Sequence, residues 1–496
     1  MRRLFSLLAF AILLLPCGCG GAKVSPTPTF EPSEVRSPVV AGIFYPDDPE
    51  ELVATVDDYL AQVERVEGEP IALIVPHAGY LYSGQVAAYA FKQVEGIEYE
   101  AVVVVGNNHR DPTFQNISVW AEGAFETPLG LIPVDGELAQ ALVAANERIV
   151  FGKKVHLYEH SIEVELPFLQ RVCPDCRMVP VIVGEPSEEN IEALSQALIK
   201  ILTGKKALII ASSDLSHYPH RDDARRVDAA TLTAIQSMEP DQLYATTEEM
   251  MSRGIPNLAT CACGEGPILV AMIAAKGLGA NQATILKYAN SGDSPLGKES
   301  EAVGYGAVMF WRWEPPNFTD EEEAKLLQMA RQTLARYLQD TSTPYFEVSE
   351  PNLLRRLGAF VTLKQGGELR ECSGWVISHQ PLYRTVQDSA VSAATEDPRF
   401  PPLTLEELEE TTIEISVLSP LTRVWNANEI QVGRDGLFIH LGGRSGLLLP
   451  QVAAEEGWDT DEFLRAVCRK AGLPEEAWQE GDLNRFTVQV FGEEND

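Results

Sequence analysis

Four short apolar runs constrain the fold of this chain more than any other feature: Ile71–Val75, Ala101–Val105, Met178–Val183 and Ala207–Ala211. Helical patterns such as Gln85–Gln93 lie between them. Runs this short, apolar without alternation, read as strands covered on both faces, and so as a parallel sheet between helical layers. In open α/β sheets, ligands bind beyond the carboxyl ends of the strands. Those ends carry chemistry here. The first run ends in Pro76-His77, the second leads to Gly106-Asn107-Asn108-His109, and the fourth to Ser212-Ser213-Asp214-Leu215-Ser216-His217. Parallel strands therefore place His77, His109, Asp214 and His217 along one rim.

The chain has eight histidines, and those at 77, 109, 156, 160, 217 and 220 all fall in this block. Two or three neutral imidazoles at one rim make a transition-metal site. A third protein ligand would leave an open position for substrate or O₂, and Asp214, Glu163, Glu265 and Cys263 are the candidates. His217 is expected to be the acid/base, because an unperturbed imidazole titrates near neutral pH, with Asp214 orienting it or a bound water. His160 and Glu163 are expected behind the ligands, and Tyr80 or Tyr82 is a candidate donor to a bound oxygen.

The composition, 45% hydrophobic and 22% charged over 496 residues, is that of a globular chain with room for several cores. A net charge of −33 argues against nucleic acid as a partner. At the amino end, Arg2 and Arg3 precede the apolar run Leu4–Leu15, which fits the hydrophobic region of a signal peptide and is too short to span a bilayer. Gly18-Cys19 resembles a bacterial lipobox. Residues 1–19 are thus expected to be a signal peptide with lipidation at Cys19, and residues 20–35 a Pro/Thr/Ser tether. The expected product is an exported lipoprotein facing the periplasm or cell exterior, held to the membrane by its lipid. In that compartment Cys173-Pro-Asp-Cys176 reads first as a short structural disulfide, with a redox pair or half of a zinc site as alternatives.

Several segments, taken together, resemble the Memo family. They are Arg36-Ser-Pro-Val-Val-Ala-Gly-Ile-Phe-Tyr-Pro46, Pro76-His-Ala-Gly-Tyr-Leu-Tyr-Ser-Gly84, Gly106-Asn-Asn-His109, Glu159-His-Ser-Ile-Glu-Val-Glu-Leu-Pro-Phe168, Ser212-Ser-Asp-Leu-Ser-His217 and Cys263-Gly-Glu-Gly-Pro-Ile268. The resemblance covers residues 36–314 and implies a three-layer α/β fold similar to class III extradiol dioxygenases. It further implies His77, His109 and Cys263 as metal ligands, the cysteine standing where those dioxygenases have a carboxylate. A thiolate favours iron, copper or zinc over magnesium or calcium.

After Pro315-Pro316 the character changes. Thr319-Asp320-Glu321-Glu322 opens a helix, and Ile413–Leu418 alternates like a half-buried strand, so this part reads as α+β. Residues 319–492 resemble the AMMECR family, whose signature Leu-Arg-Gly-Cys-Ile-Gly appears as Leu369-Arg370-Glu371-Cys372-Ser373-Gly374. Cys372 is either a reactive thiol, with His379 and His440 as possible companions, or a buried structural cysteine. Glu371, where the family has glycine, is expected to obstruct the motif. Memo-like and AMMECR-like proteins accompany a radical S-adenosylmethionine enzyme in the AmmeMemoRadiSam system, as its proteins B and A. The chain resembles a B–A fusion, which makes such an enzyme a possible partner. The expected function is that of a metal-dependent, dioxygenase-like oxidoreductase using iron or copper (or zinc) on a small substrate, aromatic compounds being the first candidates. The alternative is an envelope metal-binding or scaffold protein without turnover.

Overall fold

Alternate residues of the buried runs face two different cores. Leu73 and Val75 pack with Leu52, Val56, Val86, Phe91 and Phe168, whereas Ala72 and Ile74 pack with Leu194, Leu198, Ile268 and Leu269. A strand apolar at every position has helices above and below it, and the computed structural model has that arrangement. It describes residues 34–396, 400–424 and 426–493. The expected signal peptide, Cys19 and nearly all of the tether lie outside the described residues. None of the described helices is long and apolar enough to cross a membrane.

The first domain is built on an eight-stranded sheet. Its strands are β1 (Pro70–Val75), β2 (Ala101–Asn107), β3 (Ile117–Val119), β4 (Ile149–Phe151), β5 (Met178–Val183), β6 (Ala207–Ser212), β7 (Gln282–Asn290) and β8 (Gly304–Trp311), in the order β7-β8-β1-β6-β2-β5-β3-β4. The four runs are its centre, and β1, β6, β2 and β5 are mutually parallel. The sheet as a whole is mixed, because β8 runs antiparallel to β1 and β3 antiparallel to β5. Helices Pro49–Ala61, Tyr80–Phe91 and Leu166–Val172 cover one face, and Glu188–Leu202 and Glu265–Gly277 the other. The helix read as Gln85–Gln93 starts earlier, at Tyr80, directly behind the first histidine motif.

The second domain is α+β. Helix Asp320–Asp340 begins with a capping box between Thr319 and Glu322. It packs with Leu382–Glu396 over a four-stranded antiparallel sheet containing Ala359–Gln365, Glu368–Trp375, Thr411–Leu418 and Val488–Gly492. A second four-stranded sheet contains Thr422–Arg423, Asp482–Phe486, Gly436–Leu441 and Arg444–Leu448. At the junction Glu67 accepts from the Arg355 side chain and from the Arg356 backbone N–H, each at 2.7 Å.

Candidate metal centre

Register brings the carboxyl ends of the central strands level. Val75 pairs with Ser212 across β1 and β6, and Val105 with Ala211 across β2 and β6. The chain leaves each strand at the same height, and His77, His109 and Asp214 converge. A fourth segment closes the site from above. The Cys263 N–H donates to the Asp214 carbonyl oxygen at 3.2 Å, and the next N–H, of Gly264, donates to Ser213 Oγ at 2.9 Å. Only glycine fits at 264, because a Cβ there would lie 2.7 Å from the Ser212 carbonyl oxygen.

His77, His109 and Cys263 each turn one donor atom inward, with all three atoms within 4.8 Å of one another. His77 Nε2 is 3.3 Å from Cys263 Sγ. Behind it, His77 Nδ1 lies 2.8 Å from Ser212 Oγ, which is also 2.6 Å from the Ser161 carbonyl oxygen and 2.9 Å from Glu165 Oε1. Burial pushes the Glu165 carboxyl well above the ordinary range, which favours its protonated form. With the Ser212 proton on the Ser161 carbonyl, the hydroxyl accepts from His77 Nδ1–H. That fixes the tautomer whose Nε2 lone pair faces Cys263.

His109 is anchored by Glu159. Its Nδ1 lies 2.9 Å from Glu159 Oε1, and its backbone N–H donates to Oε2 at 2.7 Å. His109 Nε2 turns inward, 2.9 Å from the Asn107 side-chain amide, which also donates to the Cys263 carbonyl oxygen. His160 stacks on His109 at 4.6 Å between ring centroids and meets the edge of Phe44 at 5.2 Å. Two overlapping donor groups extend the cluster, namely His109 with Glu159 and His160, and Asp214 with His217 and Cys263.

The ionisation pattern differs from the sequence-based expectation. Burial, helped by the His109 charge, pushes His217 down to about 4, so at neutral pH it is a neutral imidazole. Burial pushes Asp214 up to about 7 against the opposing hydrogen bonds from the His77 and Ala78 N–H groups. Asp214 is thus the group that titrates near neutrality, with His217 Nε2 4.0 Å from its Oδ2. Burial also lowers His77 far below its ordinary value and His160 to about 4. Burial opposes ionisation of Glu159 too, but the hydrogen bonds and charge of His109 outweigh it and hold the carboxyl at about 2. Burial, then the Asp214 charge, drives the Cys263 thiol well above its ordinary range, so a cation is what would hold it as thiolate.

Other expected site residues lie elsewhere. Glu163 faces away from the histidines. It forms a buried ion pair with Arg36 and accepts from the Val39 and Val40 N–H groups and the Tyr45 hydroxyl, tying down the segment that enters the domain. The carboxylate beside the histidines is instead Glu159, four residues earlier. Glu265 accepts from Thr247 Oγ1 at 2.7 Å. Tyr80 is buried with its hydroxyl on the Val164 carbonyl oxygen, and the Tyr82 hydroxyl reaches the Leu296 carbonyl at 3.4 Å. His156 is buried against Trp120 and Phe125, and His220 caps helix Arg221–Gln236. Cys173 and Cys176 form a disulfide.

In the second domain Cys372 lies on strand Glu368–Trp375, 3.3 Å from Thr362 Oγ1. Glu371 turns inward, 1% exposed, and pairs with Arg370 at 3.0 Å. His379 is exposed, and His440 lies in the other sheet, paired with Ser445 and Asp482.

Comparison with known proteins matches this architecture. The family model described as Memo-like protein matches residues 36–309, and the one described as AMMECR1 matches residues 327–491. A MEMO1 family protein of Methanobrevibacter smithii is 37% identical over 290 residues, 56% of this chain and 99% of that protein. One from Aquifex aeolicus is 36% identical over 280 residues, with the same shares covered. Among solved structures, an uncharacterized protein from Pyrococcus horikoshii is 37% identical and covers 36% of this chain and 94% of its own, with a TM-score of 0.35. The chain belongs to the Memo family and carries an AMMECR1 domain after its Memo domain.

Proposed function

We propose that the Memo domain is a metal-dependent, dioxygenase-like oxidoreductase acting on a small, aromatic substrate, with iron or copper held by His77, His109 and Cys263. One observation carries this reading: three donor atoms from three separate segments converge within 4.8 Å, and both imidazoles have the opposite ring nitrogen anchored. A purely structural cluster has no need of such matched tautomers. The metal would supply Lewis acidity and electron transfer toward O₂. The protein's own groups bind, orient and handle protons. Asp214 holds a proton at Oδ2 near neutral pH, His217 beside it receives or orients it, and the Phe44 and His160 rings pack edge to face beside the site.

A thiolate also retains zinc or copper tightly without turnover, so metal storage or scaffolding at the envelope is the second reading, favoured by the softness of Cys263. Under either reading the chain is proposed to be exported and held at a membrane through lipid on Cys19, with a radical S-adenosylmethionine enzyme as a possible system partner.

The test is metal content of the chain from Gly20 onward, purified without oxygen, beside His77→Ala and Cys263→Ser. Stoichiometric iron or copper lost in both variants, with O₂ uptake on a panel of phenols, is the expected result. Bound metal with no turnover on any of them selects the second reading. A wild-type chain that takes up no metal on reconstitution overturns both.

A further inference from the structure

Away from the metal centre, a seam between the two domains contains two adjoining cavities of about 410 and 260 Å³. They share Gln236, Ala283 and Leu421 as a common wall, so they form one cleft with two chemistries. The smaller half is lined chiefly by Ile285, Trp311, Leu357, Val376 and Leu418. The larger half is the more polar one, with Gln242 and Gln282 from the Memo domain facing Thr422, Arg423 and Arg485 from the AMMECR1 domain.

The charges of the polar half are not equally engaged. Glu239 bridges Lys276 at 2.6 Å, Glu429 accepts the Asn426 N–H at 2.8 Å, and Arg423 pairs with Asp482. Arg485 joins no ion pair among the described residues, and its buried Nε has no hydrogen-bond partner there. In a chain of net charge −33, a guanidinium left without a carboxylate at a half-buried position calls for an occupant. Clefts between domains are preferred ligand sites, and an apolar wall with one placed charge fixes both the body and the head of a ligand.

We propose that this seam binds a small amphipathic carboxylate, its acid group on Arg485 and its hydrocarbon against Ile285, Trp311 and Leu418. The guanidinium fork matches a carboxylate, and the carboxamides of Gln242 and Gln282 can take its remaining lone pairs. Because Gln282 pairs with Trp311 and Trp311 with Pro70, the seam lies at the amino edge of β1. His77 lies past its carboxyl edge, roughly 20 Å away at about 3.3 Å per residue. The site is therefore separate from the metal centre, and it joins both domains.

The experiment is calorimetric titration of the two-domain chain, Gly20 to Asp496, with octanoate, beside acetate and 1-octanol as head-only and tail-only probes. The expected result is saturable one-to-one binding of octanoate, with each half-probe at least tenfold weaker. Arg485→Gln and Leu421→Gln should each weaken octanoate at least tenfold while keeping the wild-type melting temperature to within a few degrees. His77→Ala should leave it unchanged. Absence of saturable octanoate binding to the wild type overturns the proposal. So does binding that is lost in His77→Ala, which would assign the carboxylate to the metal centre, or binding that neither seam variant alters.

Discussion

Glu159→Gln tests the centre most directly, because the two side chains differ by almost nothing except what faces His109. Glu159 Oε1 accepts from the His160 and Ser161 N–H groups at 2.8 and 2.9 Å and stands 2.9 Å from His109 Nδ1. Its Oε2 accepts the His109 N–H at 2.7 Å. A glutamine has one oxygen, and its NH₂ is a donor only. If the oxygen stays with the backbone donors of residues 160 and 161, the NH₂ meets the His109 N–H, donor against donor. If it turns round, the NH₂ instead faces the His160 and Ser161 N–H groups and His109 Nδ1–H. In that second orientation, moving the imidazole proton from Nδ1 to Nε2 relieves the ring contact but removes the lone pair a metal needs; in the first, the ring keeps its acceptor while the backbone N–H that holds the His109 loop loses its own. Loss of such a supporting partner weakens metal binding about 10–100-fold, or about 1.4–2.7 kcal/mol. The assay is competition for the metal against a chelator, with ¹⁵N chemical shifts of His109 reporting the tautomer. Metal affinity within about twofold of wild type, with the Nε2 proton seen on His109, would show that this imidazole is not a ligand and refute the reasoning.

Two further outcomes follow from buried charges elsewhere in the Memo domain. Arg36 and Glu163 are 1% and 0% exposed, so Arg36→Met strands a buried carboxylate and should destabilise the domain by about 3–5 kcal/mol in urea unfolding, with most of the loss regained in Arg36→Met/Glu163→Gln; a double variant as unstable as the single one would contradict this. Burial raises Asp228 to about 6 despite its hydrogen bonds from the Ser216 N–H and the Tyr288 hydroxyl. The folded state then holds the proton more tightly than the unfolded state, so the stability of the wild type, relative to Asp228→Asn, is greatest below the unfolded value of about 4 and falls as pH rises to about 6, by up to about 3 kcal/mol. Parallel stability curves for the two proteins between those pH values would exclude the raised value.

How far the sequence could be read depended on whether the signal was local. The four apolar runs named the centre of the sheet, because strands buried on both faces leave an uninterrupted apolar record. They said nothing of β8 and β3, which enter the sheet antiparallel to β1 and β5 after short connections that carry no such apolar record. His77 and His109 were legible from their position just past strand ends. The distinction between Glu159 and Glu163 was not, since both lie in one segment and a 3₁₀ turn at Glu163–Glu165 decides which faces the histidines. One signal was available: Glu159 directly precedes His160, and a carboxylate beside a histidine in a loop is well placed to accept from neighbouring backbone and imidazole N–H groups.

The exchange of roles between Asp214 and His217 shows what a one-dimensional reading omits. From reference values, histidine is the near-neutral titrator and aspartate the fixed anion. Both reference values assume water. The same loss of solvent acts in opposite directions on the two groups, because it penalises whichever form is charged. His217 is therefore lowered to about 4 and Asp214 raised to about 7 with burial as the largest cause in each case. The Ser212–His217 segment is pinned between β1 and the Cys263 turn, with the Ser213 N–H on the Val75 carbonyl and the Asp214 carbonyl accepting from Cys263, which leaves Asp214 buried. It is tertiary closure by a turn some fifty residues downstream, and not the Asp-x-x-His spacing itself, that brings the carboxyl of Asp214 to titrate near neutrality.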